Sequence, residues 1–268
     1  VQRVGPAALR IDAGLGFAYP AIDLAIEHLA PLARASGIAI AAIHRSHHFG
    51  QAGAHAERLA LHGLVALVVG NTPKAMALWG GKTPRLGTNP IAFAAPSPGE
   101  GRMPLVIDLA LSVAARSKIV AAQKNGAPIP SGWANDADGQ PTTDPITALA
   151  GVLLPIGGAK GAALALMVEI MAAALTGSAF GWEASSMLDD QGGPPNVGQT
   201  IIAINPALTS ADQFPARMAT LLETFAAEPE VRVPGERRLQ ARARAASEGL
   251  TVAAALHAEI SALADGRA

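Results

Sequence analysis

Three of the seven histidines of this chain fall within five residues, His44-Arg45-Ser46-His47-His48, followed at once by Phe49-Gly50. An imidazole titrates close to neutral pH, so it can move a proton, ligate a metal or contact an anion. The cluster follows an apolar run, residues 38–43, that reads as a strand. Open α/β sheets take their ligands at the carboxyl ends of strands, so the position suits a site. A solvated loop accounts for one histidine there. Three so close together, closed by a glycine, favour function.

Other segments carry groups that suit an anion or a small polar ligand. Gly157-Gly158-Ala159-Lys160-Gly161 leads into an apolar helix. Its glycines let backbone N–H groups approach an anion, the helix start adds a positive dipole, and Lys160 adds a full charge. A tight turn with a surface lysine accounts for the same residues. Thr88 and Asn89, in Gly87-Thr88-Asn89-Pro90, can hydrogen-bond a ligand or cap a turn. Asp108 ends an apolar run, where it can take a ribose hydroxyl or cap a helix beginning near Ser112. Gly235-Glu236-Arg237-Arg238 places a carboxylate beside guanidinium groups, as a solvated charge run also would.

A metal reading competes. His44, His47 and His48 have the spacing H-x-x-H-H, and Glu57 and Asp108 could add oxygens, which would give a metal-dependent hydrolase or lyase. Against it, the cluster sits in a post-strand loop and lacks the glutamate of HExxH, which needs both imidazoles on one helical face. GxGxxG, GxxxxGK[ST] and GxSxG are all missing, so the usual dinucleotide fingerprint, the P-loop and the nucleophile elbow have no support.

The elements that must position these residues follow from apolar periodicity. Residues 21–35 have helical spacing, with Pro31 expected to kink or divide the helix, and Gly37 ends it before the 38–43 strand. Residues 53–62 read as a helix stopped by Gly63, and residues 64–69, 91–95, 105–107 and 199–204 as strands. Residues 112–125 read as a helix bearing Arg116, Lys118 and Lys124; residues 214–226, 237–248 and 253–263 as further helices. Residues 126–145, rich in Gly, Pro, Asp and Thr, read as a long loop. Strands alternating with helices give a mixed α/β (α+β) class, a central sheet with flanking helices.

Bulk properties bound the function. The 268 residues can bury a substantial core, half are hydrophobic and 15% are charged, so global disorder is not expected. A net charge of −1 without a basic block gives nucleic acid no electrostatic footing. No cysteine means no disulfide or thiolate chemistry. The apolar stretch 161–175 contains Glu169 and is too short to span a bilayer, so it reads as a buried helix, and no membrane partner is expected. No signal peptide is visible, which points to the cytoplasm. The chain begins at Val1 rather than Met.

Taken in order, the motifs resemble the second family of malate/L-lactate dehydrogenases, which includes sulfolactate and ureidoglycolate dehydrogenases and cyclic imino-acid reductases. The resemblance rests on Ser46-His47-His48-Phe49-Gly50, Gly80-Gly81, Gly87-Thr88-Asn89-Pro90-Ile91-Ala92-Phe93 and Asp108-Leu109-Ala110. It continues through Asp136-Ala137-Asp138-Gly139, Pro141-Thr142-Thr143-Asp144-Pro145, Gly157 to Gly161, Gly198-Gln199 and Pro234-Gly235-Glu236. It implies an oxidoreductase using NAD or NADP on a fold unlike Rossmann, acting on a small 2-keto or 2-hydroxy acid and usually a homodimer. By carry-over, His48, Phe49, Gly50, Gln51 and Ala52 would line the cofactor. Asp108, Leu109, Ala110, Lys160, Gly161, Gly235, Glu236 and Arg237 would also hold it. His48 would serve as acid/base with His47 beside it, and Thr72, Thr88 and Asn89 would lie near substrate. Residues 41–205 would form the cofactor-binding part; residues 1–40 with 206–268 would form a helical, substrate and dimerisation part.

The sequence departs from the family pattern in three ways. Family members carry an amino-terminal helical segment with Ser-His-Gly and a nearby arginine, which this sequence does not show. On that reading a remnant that only binds nucleotide is an alternative. Lys118 stands where imino-acid reductases carry an aspartate relay, and Pro195 where ureidoglycolate enzymes carry an arginine. The expected reaction is hydride transfer at C2 of a malate-, lactate- or sulfolactate-like acid. Reduction of a cyclic imino acid (piperideine- or pyrroline-2-carboxylate) is the alternative.

Overall fold

The alternation of strands and helices resolves, in a computed structural model describing residues 1–99, 101–187 and 191–266, into one large sheet with apolar clusters on both faces. Its first elements are a hairpin, β1 (Gln2–Gly5) and β2 (Ala8–Asp12), the helix α1 (Tyr19–Ser36) and the strand β3 (Ile38–Ser46). Helix α2 (Ala52–Leu61) leads to β4 (Val65–Gly70), β5 (Ile91–Ala95) and β6 (Leu105–Leu109). Next come α3 (Arg116–Lys124), the short β7 (Ala134–Asn135) and β8 (Pro141–Thr142), α4 (Pro145–Ala150) and β9 (Val152–Leu153). Helix α5 (Ala159–Glu169) runs into a π-helical turn (Ile170–Ala174), followed by β10 (Val197–Ile204) and α6 (Pro206–Ser210). The last helices are α7 (Phe214–Ala226), α8 (Glu236–Glu248) and α9 (Ala254–Ala264).

The seven-stranded sheet has the order β1-β2-β3-β10-β4-β5-β6, and only the β2–β3 pair is parallel. Side chains of a strand alternate between faces, so a strand covered on both sides reads as an unbroken apolar run. On β4, Ala66 and Val68 join one cluster with Leu9, Ile11, Ile22, Leu29, Ile43 and Leu59. Leu67 and Val69 join the other, with Met76, Leu86, Leu111, Ile119 and Val168. The first cluster is packed under α1 and α2, the second under α3 and α5.

Several expectations need correction. Pro31 neither breaks nor divides α1, which runs through it to a C-cap at Gly37 (φ 84°); Pro31 is exposed, and the missing N–H costs only one bond on the solvent side. The β1–β2 hairpin was not anticipated, although buried Leu9 and Ile11 alternate with exposed Arg10 and Asp12 as a half-buried strand should. The long loop 126–145 contains β7 and β8, which join β9 in a three-stranded sheet. Asp136 Oδ1 stabilises that turn by accepting from the N–H groups of Asp138 and Gln140. The 161–175 segment is not buried all round: Leu164, Leu166, Met167, Ile170 and Leu175 are all at least 40% exposed.

Chain contacts divide the molecule into two units, Val1–Thr224 and Phe225–Ala268. The sheet and both clusters belong to the first. In the second, α8 starts at Gly235 (φ 95°) with Glu236 in its first turn. Among the described residues no helix is long and apolar enough to cross a membrane.

Candidate functional site

β3 delivers the histidines through a bulge. Its pairing with β10 is regular from Ile38↔Ile204 to Ile43↔Gln199, then shifts so that Ser46 faces Val197. Arg45 adopts φ 52° inside that irregularity, and a bulge of this kind re-aims the side chains that follow. Opposite it, Gly198 comes so close to the carbonyl of Ala172 that no β-carbon would fit. His44 stays in the strand, buried and in register with Asp12. Burial lowers its pKa first, and Arg10 adds to the effect against the pull of Asp12. The rings of His47 and Phe17 meet edge-on with centroids 5.0 Å apart; burial, then His48, lowers the pKa of His47. Among the described residues no three His, Asp or Glu side chains gather where they could hold a metal ion. The H-x-x-H-H set is not gathered as a ligand cluster: His44 is buried in β3 opposite Asp12, His47 packs on Phe17 and His48 lines the cleft described below.

Main-chain N–H groups that follow them set the protonation pattern of His47 and His48. The backbone N–H of His48 donates to Nδ1 of His47 at 2.6 Å, and the N–H of Gly50 donates to Nδ1 of His48 at 3.2 Å. A ring nitrogen that accepts carries no proton, so each neutral ring holds its proton on Nε2. His48 is exposed and therefore offers an Nε2–H hydrogen-bond donor. Its carbonyl accepts from Ala18 N–H at 3.2 Å, and the carbonyl of His47 accepts from Gln199 Nε2 at 3.3 Å.

A cleft of about 480 Å³ opens at His48, with Thr72, Lys74, Thr88, Arg116 and Ser186 in its lining. Thr88 N–H donates to Thr72 Oγ1 at 2.9 Å, and the two hydroxyls lie 3.4 Å apart. Gly87 makes this possible, because a β-carbon there would strike the carbonyl and hydroxyl of Thr72. Arg116 is steered by main-chain carbonyls: its Nη1 donates to Lys74 O at 3.5 Å and its Nη2 to Leu149 O at 3.4 Å. Two cations, two hydroxyls and an imidazole N–H around one small volume suit a compact anionic substrate with a polar reacting bond. A larger cavity of about 720 Å³, lined partly by Trp79, Gly80, Gly81, Lys82, Asp138 and Gly158, has no histidine. The chemistry therefore favours the smaller cleft.

The anticipated cofactor residues fall into three groups. His48 to Ala52 and Asp108 to Ala110 come together, because Asp108 Oδ2 accepts the N–H of Gly53 at 2.9 Å at the start of α2. Asp108 thus caps α2, not a helix near Ser112. Gln51 and Leu109 are both exposed beside that contact. Lys160 is exposed in the first turn of α5, whereas Gly161 is buried against the carbonyl of Ile156, where no β-carbon would fit. Gly161 therefore serves the tight turn. Gly235, Glu236 and Arg237 belong to the second unit.

Asn89 is also corrected. It is 0% exposed. Its amide nitrogen donates to Ala165 O at 2.9 Å and Glu169 Oε2 at 2.8 Å, and its Oδ1 accepts Thr72 N–H at 3.4 Å. All its polar atoms face protein, so it holds Thr72 in place instead of touching a ligand. Lys118, read at the relay position, sets its ammonium 5.8 Å over the Trp133 ring; Arg116, two residues earlier, lines the cleft. Lys74, Ser186 and Glu169 were missed altogether. Arg116 was visible as a basic residue on a helix, and Glu169 as the lone acid in an apolar run, but nothing local ties either to His48.

Known proteins resemble this chain in sequence and in fold. A family model described as malate/L-lactate dehydrogenase matches residues 1–261. A (2R)-3-sulfolactate dehydrogenase (NADP(+)) from Chromohalobacter salexigens is 49% identical over 98% of this chain and 78% of its own. A Δ1-pyrroline-2-carboxylate reductase from Ancylobacter novellus is 46% identical over 98% of this chain and 77% of its own. The crystal structure of a Δ1-piperideine-2-carboxylate reductase from Pseudomonas syringae superposes with a TM-score of 0.88 at 40% identity, covering 95% of this chain and 76% of that one. That structure also agrees with the mixed α/β class.

Proposed function

The chain belongs to the malate/L-lactate dehydrogenase family, and from that premise we propose that it is an NAD(P)-dependent oxidoreductase acting at C2 of a small 2-hydroxy or 2-keto acid. The observation that carries the reading is the His48 Nε2–H at a cleft that also holds Lys74, Arg116 and a threonine pair. In this reading Lys74 and Arg116 hold the substrate carboxylate. The Nε2–H of His48 hydrogen-bonds the carbonyl oxygen; once the ring is also protonated at Nδ1, with release of the Gly50 N–H, the imidazolium gives its Nε2 proton to that oxygen on reduction, and the neutral ring takes one back on oxidation. The hydroxyls of Thr72 and Thr88 orient the reacting carbonyl. The nicotinamide, when bound, supplies or accepts the hydride at C2.

The residues present suit such a cofactor. Gly50 has φ 69° and lies against the Tyr19 ring, whose hydroxyl fills the place a β-carbon would take. Leu109, 48% exposed, offers an apolar face for a ring. Asp108 turns one oxygen to α2, leaving Oδ1 for a ribose hydroxyl. Lys160 offers a cation to a phosphate.

A second reading shares every group: reduction of the C=N bond of a cyclic 2-imino acid. Relatives named as pyrroline- and piperideine-2-carboxylate reductases favour it. The test is a fluorescence titration with NADPH and NADH, followed by turnover on 2-keto acids and cyclic imino acids side by side. Saturable binding with turnover of keto acids supports the main reading, and turnover of imines alone the second. No binding of either nucleotide by the folded protein overturns both.

A further inference from the structure

One buried acid takes no part in the chemistry above. Glu169 ends α5, is 1% exposed, and keeps a raised pKa because desolvation outweighs the hydrogen bonds it receives. Its Oε1 accepts from Asn71 Nδ2 at 3.2 Å and from Gly181 N–H at 2.6 Å, and its Oε2 from Asn89 Nδ2 at 2.8 Å. Each donor leads to a different part of the cleft. Asn71 precedes Thr72 and also accepts Gly198 N–H at 3.0 Å. Asn89 follows Thr88, is held at φ 42°, and accepts the N–H of Thr72. Gly181 opens the segment that reaches Ala184, Ser186 and Met187 in the lining, and its carbonyl accepts Lys74 N–H at 2.8 Å.

These segments are also packed backbone to backbone. A β-carbon on Gly181 would lie 2.9 Å from the carbonyl of Thr72 and 3.2 Å from the nitrogen of Gly87. The helix side is fixed by the π turn that follows Glu169, where Thr200 Oγ1 takes the carbonyl of Met171 at 2.7 Å and Thr176 Oγ1 that of Ala172 at 2.6 Å. The His48 wall draws on none of these bonds; it hangs on Ala18, Gly50 and Gln199.

We propose that Glu169 is a positioning residue: its carboxylate gathers the Thr72, Thr88 and 181–187 segments into the substrate-facing wall of the cleft, and so sets acid recognition without touching the acid. The kinetic part of this rests on the functional reading above; the structural part does not. Glu169→Gln keeps the size but turns one acceptor oxygen into an NH2 group that faces existing donors. At least one of the three contacts then becomes donor against donor.

The experiment is amide hydrogen exchange followed by mass spectrometry on the wild type and Glu169→Gln, with steady-state kinetics beside it. Peptides covering residues 71–75, 86–90 and 180–187 should exchange about tenfold faster in the variant, the size of a lost hydrogen bond to a charged group, while residues 48–56 stay unchanged. KM for the accepted acid should rise about tenfold while affinity for NADPH stays within about twofold. If Glu169→Gln does not fold, Asn71→Ser removes one contact and should give the same pattern at smaller size. Unchanged exchange in the three segments, or equal acceleration in residues 48–56, overturns the proposal. A wild type that binds no nucleotide and turns over no acid overturns the functional reading, and the exchange pattern still decides for or against Glu169.

Discussion

The two walls of the His48 cleft are built on opposite plans. The histidine wall takes its ring contacts locally: within residues 46–55, the N–H of His48 meets the His47 ring, Gly50 fixes the His48 ring, and His55 Nε2 meets the carbonyl of Phe49 at 2.7 Å, while Ala18, Gln199 and Asp108 hold only its main chain from outside. The threonine wall is assembled from afar, on a carboxylate 80 residues from Asn89 and 98 from Asn71. The first is an ordered turn that a strand presents. The second exists only after the sheet, α5 and the segment after the π turn have come together. A local wall can fix the group that moves the proton, whereas an assembled wall can vary its contacts to suit different acids without disturbing that group.

That division predicts different kinetic signatures for the two sides. Removing the imidazole with His48→Ala should cost kcat about 10²–10⁴-fold, the range for a lost general acid or base, with KM for the acid changed little. Steady-state rates at saturating acid check this, and an unchanged kcat would remove the proton from His48. Arg116→Ala should act on the other side: KM for the acid rises roughly 10–100-fold, as for loss of a charge-assisted contact, with kcat moving less. A fall in kcat with constant KM would mean that Arg116 belongs to proton transfer rather than recognition, and the two-wall division would fail.

The same contrast explains what the sequence disclosed. Helices α2 and α7 and strands β3 to β6 were legible because apolar period and glycine stops are local properties. His47, His48 and Thr88 stood out because ordered motifs carry them, and Thr72 came only by carry-over from the resemblance; all but His47 line the cleft. Asn89 was read as a ligand contact because its type suits one; only its burial and its bonds to Glu169 and Ala165 reveal a structural post. Lys74 and Arg116 escaped because a lone cation carries no sign of where it will face. The π turn and the Arg45 bulge escaped for a related reason: both depend on what packs opposite, and no residue type announces them.

The local wall carries one more consequence, the smallest expected effect. His55 donates its Nε2–H to the carbonyl of Phe49, so the neutral ring leaves Nδ1 bare, and that atom is buried without a partner. Protonation would put a charge where nothing receives it, and burial is the main cause lowering the His55 pKa, only partly offset by the Phe49 carbonyl. In the unfolded chain the ring titrates near its ordinary value of about 6.5. Above that pH both states are neutral and His55 costs nothing. As pH falls below it the unfolded state binds the proton first, so stability declines until the folded pKa is reached, by at most about 1.4 kcal/mol per pH unit. His55→Gln keeps an N–H donor for Phe49 but cannot take a proton. Denaturant midpoints at pH 7.5 and 5.5 should therefore converge in the variant relative to the wild type, by about 1 kcal/mol, whatever His44 and His47 contribute equally to both proteins. An identical decline in both would mean that the histidine wall tolerates a proton at its base, and that its order rests on the Ala18, Gly50, Asp108 and Gln199 contacts.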